Sequence, residues 1–238
     1  MSRTSNSVRV TGRTRELVIA IDRVLLHLSR HWLAVFNLVV ALYVGLPFAA
    51  PVLMYTGHPG AARVIYTAYK PLCHQFAFRS WFLFGERTTY PREVFTQYTG
   101  IDSDDLWTAR AYNGDERVGY KVAFCERDVA IYGGVLILGL FYGLTRKRLP
   151  VISWLPWLVL GILPIAIDGF SQLFSQPPYS WWAYRESTPL LRTLTGFLFG
   201  AMNAWLAYPY VGESMAQTEA ELSAKLARVD KGERTSRG

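Results

Sequence analysis

The run WLAVFNLVVALYVGLPFAAPVLMY, residues 32–55, contains 24 residues and no charged side chain. At about 1.5 Å per residue, a helix of this length can cross a hydrocarbon core about 30 Å thick. The run is too long and too uniformly apolar for a core helix of a small water-soluble domain. It therefore predicts a transmembrane helix.

Three further apolar blocks follow the first one in the sequence. Only 18% of the 238 residues are charged, whereas a soluble domain has about a quarter. Each later block alone could be a buried helix, but four such blocks in one chain indicate a multi-pass membrane protein. We predict an all-α fold with four transmembrane helices, at about residues 32–55, 122–144, 151–167 and 194–211.

Basic side chains concentrate before the first block, after the second and after the fourth. By the positive-inside rule these three segments lie in the cytoplasm. We therefore expect both termini inside and residues 56–121 outside, and no basic-aromatic pattern suggests nucleic-acid binding. The basic residues concerned are Arg3, Arg9, Arg13, Arg15, Arg23, Arg30, Arg146, Lys147, Arg148, Lys225, Arg228, Lys231, Arg234 and Arg237.

The segments outside the membrane domain (32–211) have their own patterns. Residues 1–31 form a basic cytoplasmic segment that is not a cleavable signal peptide, because its polar part is too long. Apolar residues recur in it at helical spacing, which predicts a helix lying in the cytoplasmic interface or a simple extension of the first span. We expect residues 56–121 to form a small helical cap and residues 212–238 a cytoplasmic tail. The apolar residues are Leu17, Ile21, Val24, Leu25 and Leu28.

Four polar clusters border the apolar blocks, and the predicted topology brings all of them to the external face. Polar groups near hydrocarbon are unfavourable unless they have a partner or a function. We therefore predict one shared external site. The clusters are residues 73–75 (Cys-His-Gln), residues 125–128 (Cys-Glu-Arg-Asp), Asp168 with Gln172, and Arg185 with Arg192.

An ordered set of motifs matches a known family. The chain resembles DUF2085, a family of small prokaryotic multi-pass membrane proteins with no established activity. The resemblance implies a location in the prokaryotic plasma (inner) membrane. Many members have Cys-x-x-Cys where this chain has Cys125 and Asp128, and the carboxylate weakens any dithiol chemistry carried over from the family. The motifs are PLCHQ (71–75), RSWFLFG (79–85), GYKVAFCERDVAIYG (119–133), IDG (167–169) with Gln172, REST (185–188) and LRTLTG (191–196).

The two cysteines allow three kinds of chemistry. Cys73, His74, Cys125 and Asp128 offer two sulfurs, a nitrogen and an oxygen, which suits zinc or another transition metal. Alternatively, Cys73 and Cys125 form a disulfide, since both face an oxidising compartment. The third hypothesis is a thiol nucleophile activated by His74. The residues leave the three open.

The charged side chains around the cysteines suggest roles of their own. We assign Asp168 and Arg192 as candidate catalytic residues, because a carboxylate can act as base or metal ligand and arginine binds anions bidentately. The alternative is a set of ion pairs that fixes the helix ends. The candidate substrate-binding residues are Gln75, Arg127, Gln172 and Arg185.

Two classes of function are compatible with these patterns. One is an integral membrane protein with an extracytoplasmic metal-binding or catalytic site that acts on a lipid or a small anion. The other is a non-catalytic structural or assembly subunit of a larger membrane complex, in which the cluster is a disulfide and ion-pair clasp. The expected partners are the lipid bilayer and either another membrane protein or a second copy of the chain. The sequence does not decide whether the protein is an enzyme.

Overall fold

The computed structural model describes residues 12–145 and 148–235. The basic residues predicted at positions 3, 9, 146, 147 and 237 lie outside these ranges. The fold is mostly helical (71%). It divides into two compact units, one formed by Met1–Phe36 with Tyr210–Gly238 and the other by Asn37–Pro209.

The helices and strands follow one another along the chain with short connections. Seven helices carry the labels α1 to α7, and three strands the labels β1 to β3. They are α1 (Arg13–Tyr55), α2 (Pro59–Tyr69), β1 (Ser80–Leu83), α3 (Arg92–Thr99), α4 (Leu106–Ala111), β2 (Gly114–Asp115), β3 (Gly119–Cys125), α5 (Glu126–Leu144), α6 (Trp154–Ser175, with a π-helical stretch at Trp157–Ile162) and α7 (Pro189–Thr235).

Three of the described helices, α1, α5 and α6, are long and apolar enough to cross a membrane. The fourth predicted span, residues 194–211, lies inside α7, which does not meet the same criterion, so the count of four is not confirmed. The third span was predicted to end at residue 167, whereas the helix that contains it, α6, continues past Asp168 to Ser175. Asp168 consequently lies within a helix and not at its exit.

Helix α1 joins two segments that were predicted separately. Residues 17–28 were expected to lie in the membrane interface, but they belong to the same helix as residues 32–55. The chain has neither proline nor glycine between Arg13 and Val44, so nothing in the sequence breaks the helix there. The extension of the first span is therefore the correct alternative.

The cap formed by residues 56–121 was expected to be helical, and this was wrong in part. Three short α-helices and a 3-10 helix (Ala77–Arg79) share it with an antiparallel sheet of strand order β1–β3–β2, in which Phe82 pairs with Lys121. Val122, Ala123 and Phe124 of strand β3 are buried, on both faces of the strand. The strand therefore has no alternation of apolar and polar residues, and its sequence cannot be distinguished from the first turn of an apolar helix. For that reason helix α5, the second candidate span, begins at residue 126 and not at 122.

Glycines allow α5 and α7 to approach closely within the larger unit. A Cβ atom added at Gly200 would lie 1.9 Å from the Ile131 carbonyl oxygen, and one added at Gly134 would lie 2.6 Å from that of Phe197. Small residues permit such contacts between helices in membranes. Gly133, next in sequence to Gly134, has open space at the same position.

This contrast gives a matched pair of substitutions. We expect Gly200→Ala to lower the free energy of unfolding by about 1–3 kcal/mol, because the methyl group must push two backbones apart. Gly133→Ala should leave stability unchanged or raise it slightly, since alanine favours a helix. Thermal unfolding of both variants in detergent measures the difference. Equal effects would contradict close packing at Gly200.

Candidate functional site

A cavity of about 340 Å³ lies in the larger unit, where the loop before β1 meets α5, α6 and α7. Each of the four predicted polar clusters contributes to its lining, although Asp168 and Arg185 do not line it themselves. The lining residues are Cys73, His74, Gln75, Phe76, Arg79, Cys125, Arg127, Asp128, Gly169, Gln172, Leu173, Gln176 and Arg192.

The loop that carries Cys73 is fixed by Gln75. This residue is buried and has a positive φ of 54°. Its amide nitrogen donates to the carbonyl oxygens of Tyr66 (3.0 Å) and Ala123 (2.9 Å). Gln75 was predicted to bind substrate, but its side-chain nitrogen already anchors the loop to α2 and β3.

The junction of β3 and α5 places the second cysteine. Cys125 caps α5, and its Sγ accepts a hydrogen bond from the backbone N–H of Asp128 (3.4 Å). The Cys125 N–H in turn donates to Cys73 Sγ (3.4 Å). Two sulfurs are thus held by backbone groups of one short turn, which fixes their positions.

Three of the four predicted metal ligands come together at the cavity. The Sγ atoms of Cys73 and Cys125 and a carboxylate oxygen of Asp128 all lie within 4.8 Å of one another. Zinc bonds of about 2.3 Å to sulfur and about 2.0–2.2 Å to oxygen place tetrahedral ligands roughly 3.5–3.8 Å apart. A small contraction would therefore fit a metal ion. His74 is not in this group, and its ring stacks on that of Phe76.

The cysteines are both free in the structure. The thiol of Cys125 donates to Asp128 Oδ2 at 3.2 Å. The interaction of the Cys125 side chain with that of Cys73, together with burial, raises the pKa of the Cys125 thiol well above its usual value. A metal ion that bound here would have to displace the thiol protons.

Glu186 is the centre of an ion-pair network that the sequence did not identify. Its side chain is 4% exposed and accepts hydrogen bonds from Arg79 Nε (2.8 Å) and Nη2 (3.0 Å). Gln172 Nε2 (3.0 Å) and a guanidinium nitrogen of Arg192 also donate to it. The available signal was its place in the REST motif, as an acidic residue close to arginines.

Asp168 is the centre of a second network. Its carboxylate accepts hydrogen bonds from Arg127 (2.5 Å), from Arg185 (2.9 Å) and from Ser187 Oγ (2.6 and 2.8 Å). Both oxygens are engaged, so this geometry supports a role in holding Arg127 against the cavity. Arg185 also binds Ser171 Oγ (2.7 Å) and lies behind the cavity wall.

Arg192 is 3% exposed and links Glu186 to Glu126, whose Oε2 lies 3.3 Å from Nη1. Several buried polar atoms nearby have no hydrogen-bond partner among the described residues. They are Glu126 Oε1, Arg127 Nε and Gln176 Nε2. Arg127 and Gln176 both line the cavity, so these nitrogens are candidate donors to a ligand.

The comparisons agree with the resemblance seen in the sequence. The model of DUF2085, described as a predicted membrane protein, matches residues 117–206. An uncharacterized protein of Methanocaldococcus jannaschii is 26% identical over 182 residues, which cover 73% of this chain and 87% of that protein. No solved structure matches. The family match includes β3, α5, α6 and the first part of α7, and hence three of the four polar clusters.

Lys121 of β3 is fully buried and contacts the loop that carries Cys73 and Gln75. Its Nζ donates to the carbonyl oxygens of Gln75 (2.8 Å) and Arg110 (2.9 Å). Burial lowers the pKa of Lys121 to about 7. A neutral amine has two N–H groups, and these two carbonyls satisfy both.

We expect this burial to make stability depend on pH. Unfolded lysine keeps its proton up to a pKa of about 10.4, whereas folded Lys121 loses it above about 7. The protonated form therefore destabilises the fold in full below that pH. As the pH rises from there to about 8.5, the usual pKa of a cysteine thiol, the free energy of unfolding should increase, by up to about 1.4 kcal/mol per unit.

Unfolding of wild type and Lys121→Met at several pH values measures this contribution. The variant should lose this increase, and Arg63→Met, which changes an exposed cation of α2, should keep it. The same pH dependence in wild type and Lys121→Met would show that Lys121 does not titrate in this range.

Proposed function

We propose that this chain, whose residues 117–206 match a family of predicted membrane proteins, is an integral membrane protein that binds a transition-metal ion, zinc foremost. The ligands are Cys73, Cys125 and Asp128. The observation that carries the proposal is the placement of their three ligand atoms within 4.8 Å at the wall of one cavity. Two sulfurs and one oxygen suit Zn²⁺, and three protein ligands leave one coordination position open, as in catalytic zinc sites.

The cavity next to the proposed metal suits an anionic ligand. Arg79, Arg127 and Arg192 line it, and Arg127 Nε and Gln176 Nε2 have no partner among the described residues. Guanidinium groups bind carboxylate and phosphate through parallel hydrogen bonds. We infer that the open metal position and these donors hold a small anion or the head group of a lipid. A volume of about 340 Å³ is large enough for either group.

We further propose that the chain crosses the prokaryotic plasma membrane four times, with both termini in the cytoplasm and the cavity outside. The fourth crossing is residues 194–211 of α7. The basic segments at both ends of the chain support this orientation through the positive-inside rule. Under it, the cap and the cavity face the same compartment.

Cysteine labelling in intact cells tests the orientation. Val64 and Ala224 are both exposed, in α2 and in the last part of α7. A membrane-impermeant maleimide should label Val64→Cys in intact cells and Ala224→Cys after permeabilisation alone. Unchanged protein, with its two native cysteines, gives the background. The reverse pattern would place the cavity in the cytoplasm.

A specific observation favours a second candidate, the clasp. Each carboxylate behind the cavity is paired with arginine, and the two cysteine sulfurs lie within 4.8 Å of each other. A disulfide between Cys73 and Cys125 would join the cap to α5, and the protein would then be a non-catalytic subunit of a membrane complex. The following experiment separates the two candidates.

Metal analysis of the full chain, purified in detergent without chelator, should find about one bound metal ion per chain. Replacement by Co²⁺ should give the near-ultraviolet absorption of a cobalt–thiolate bond. Cys125→Ser should weaken that band, because Cys73 still offers one thiolate, and the double variant Cys73→Ser, Cys125→Ser should abolish it. Asp128→Asn should weaken Co²⁺ binding roughly ten-fold or more. Asp102→Asn alters an exposed carboxylate and should change nothing.

Alkylation without reductant, followed by mass spectrometry, gives the state of the cysteines in the same preparation. Cys73 and Cys125 joined to each other would establish the clasp. Free cysteines with no metal bound, even after addition of Zn²⁺ or Co²⁺, would show that the metal proposal is wrong.

A further inference from the structure

The first part of α1 packs through one face inside the smaller unit. Its less exposed positions recur every three or four residues, at Ile19, Asp22, Leu26, Ser29 and Leu33. Such spacing is typical of the contact line, or seam, between two paired helices. The partner is the last part of α7, as three ion pairs show. They are Asp22 with Lys225 (2.6 Å), Arg30 with Glu219 (3.0 Å) and Arg23 with Asp230 (3.4 Å).

The opposite face of α1 has an apolar stripe with no cover in the described structure. Leu17, Ile21, Val24 and Leu28 are 61%, 49%, 67% and 43% exposed. At about 100° per residue they lie roughly opposite the packed seam. We call these four residues the outer stripe. It is more apolar than the packed seam, which includes Asp22 and Ser29. An exposed apolar patch of this kind marks a surface that binds another molecule.

The hydrocarbon core of the bilayer does not provide that cover when the charge-free run of α1 spans it. Helix α1 has 43 residues and is about 65 Å long, roughly twice the hydrocarbon thickness. Its charge-free run begins at Trp32, and the helix is unbroken on either side of that residue. The outer stripe therefore extends along the helix axis roughly 6–22 Å beyond the start of the run. At that distance it lies among head groups or in water.

The pattern of the outer stripe fits a second copy of the same helix. The intervals are four, three and four residues, which is a heptad repeat. Two copies in one membrane have the same orientation, so their α1 helices are parallel. The positions that flank the stripe are Val18, Ala20, Leu25 and His27. None is an acid, lysine or arginine, so a parallel contact brings no such charges together.

We propose that the protein is a dimer in which the outer stripes of two α1 helices form a short parallel coiled coil about a two-fold axis normal to the membrane. Each copy keeps its own contact between α1 and α7, so the assembly at this level is a bundle of four helices. This contact depends on α1 crossing the bilayer and not on metal binding.

Cysteine cross-linking in native membranes tests the dimer. In a parallel pair, residue 24 of one copy lies beside residue 24 of the other. Mild oxidation should therefore convert Val24→Cys into a covalent dimer. Two controls should stay monomeric on a denaturing gel run without reductant. They are Ala224→Cys, at an exposed position of α7, and the unchanged chain with its native cysteines. No dimer of Val24→Cys would show that the stripes do not meet.

A second variant connects the dimer to the stripe without cross-linking. Single-molecule photobleaching of labelled protein in phosphatidylcholine vesicles should show two-step bleaching for the unchanged chain. Val24→Lys should weaken dimerisation roughly ten-fold or more, because it places a charge in the apolar seam. Ala224→Lys introduces the same charge elsewhere and should have no effect. One-step bleaching of the unchanged chain, or equal dimerisation of both variants, would overturn the proposal.

Discussion

The pairing of two buried carboxylates with arginines is the interaction on which the cavity depends. Asp168 and Glu186 have side chains 4% exposed, and together they bind Arg79, Arg127, Arg185 and Arg192. These arginines come from the cap, α5, the loop before α7 and α7 itself. Removing one partner of a buried pair commonly destabilises a protein by about 3–5 kcal/mol, because a charge stays behind. The two carboxylates thus hold separate elements against one another and set the position of the cavity's donors.

The sequence predicted the convergence of the polar clusters, because hydrophobic blocks and basic segments constrain topology strongly. Cys73, Cys125 and Asp128 meet as expected, and Arg127, Gln172 and Arg192 line the same cavity. The sequence did not identify Glu186 as the centre of an ion-pair network, because spacing alone does not show which of several neighbouring charged side chains is buried. The precise partner of each arginine depends on side-chain geometry that no periodicity contains.

The observed fold differs from the predicted one at β3 and at the end of α6, and contacts between residues distant in sequence explain both differences. The run Val122–Cys125 is apolar and directly precedes a helix, so its pattern does not separate a strand buried on both faces from the first turn of a span. Pairing with β1 and β2 decides in favour of the strand, and those contacts are distant in sequence. The third span was predicted to end before Asp168 because that residue is charged, whereas helix α6 continues to Ser175. Within the fold the charge of Asp168 is neutralised by arginines, so the helix can continue.

The charge balance of the cluster bears on what the cavity can hold. Arg79, Arg127, Arg185 and Arg192 pair with the carboxylates of Asp168, Glu126 and Glu186, and Asp128 adds a fourth carboxylate to these four arginines. Arg92 lies 3.9 Å from Glu186 but also pairs with Asp104, so it adds no excess charge. A divalent metal ion that replaced two thiol protons would leave this balance unchanged, so no uncompensated charge would be buried by its binding. The unpaired donors Arg127 Nε and Gln176 Nε2 and the open coordination position would then act on the same small volume. An anion with one or two oxygens would satisfy both, whereas a neutral ligand would leave the unpaired nitrogen donors without acceptors.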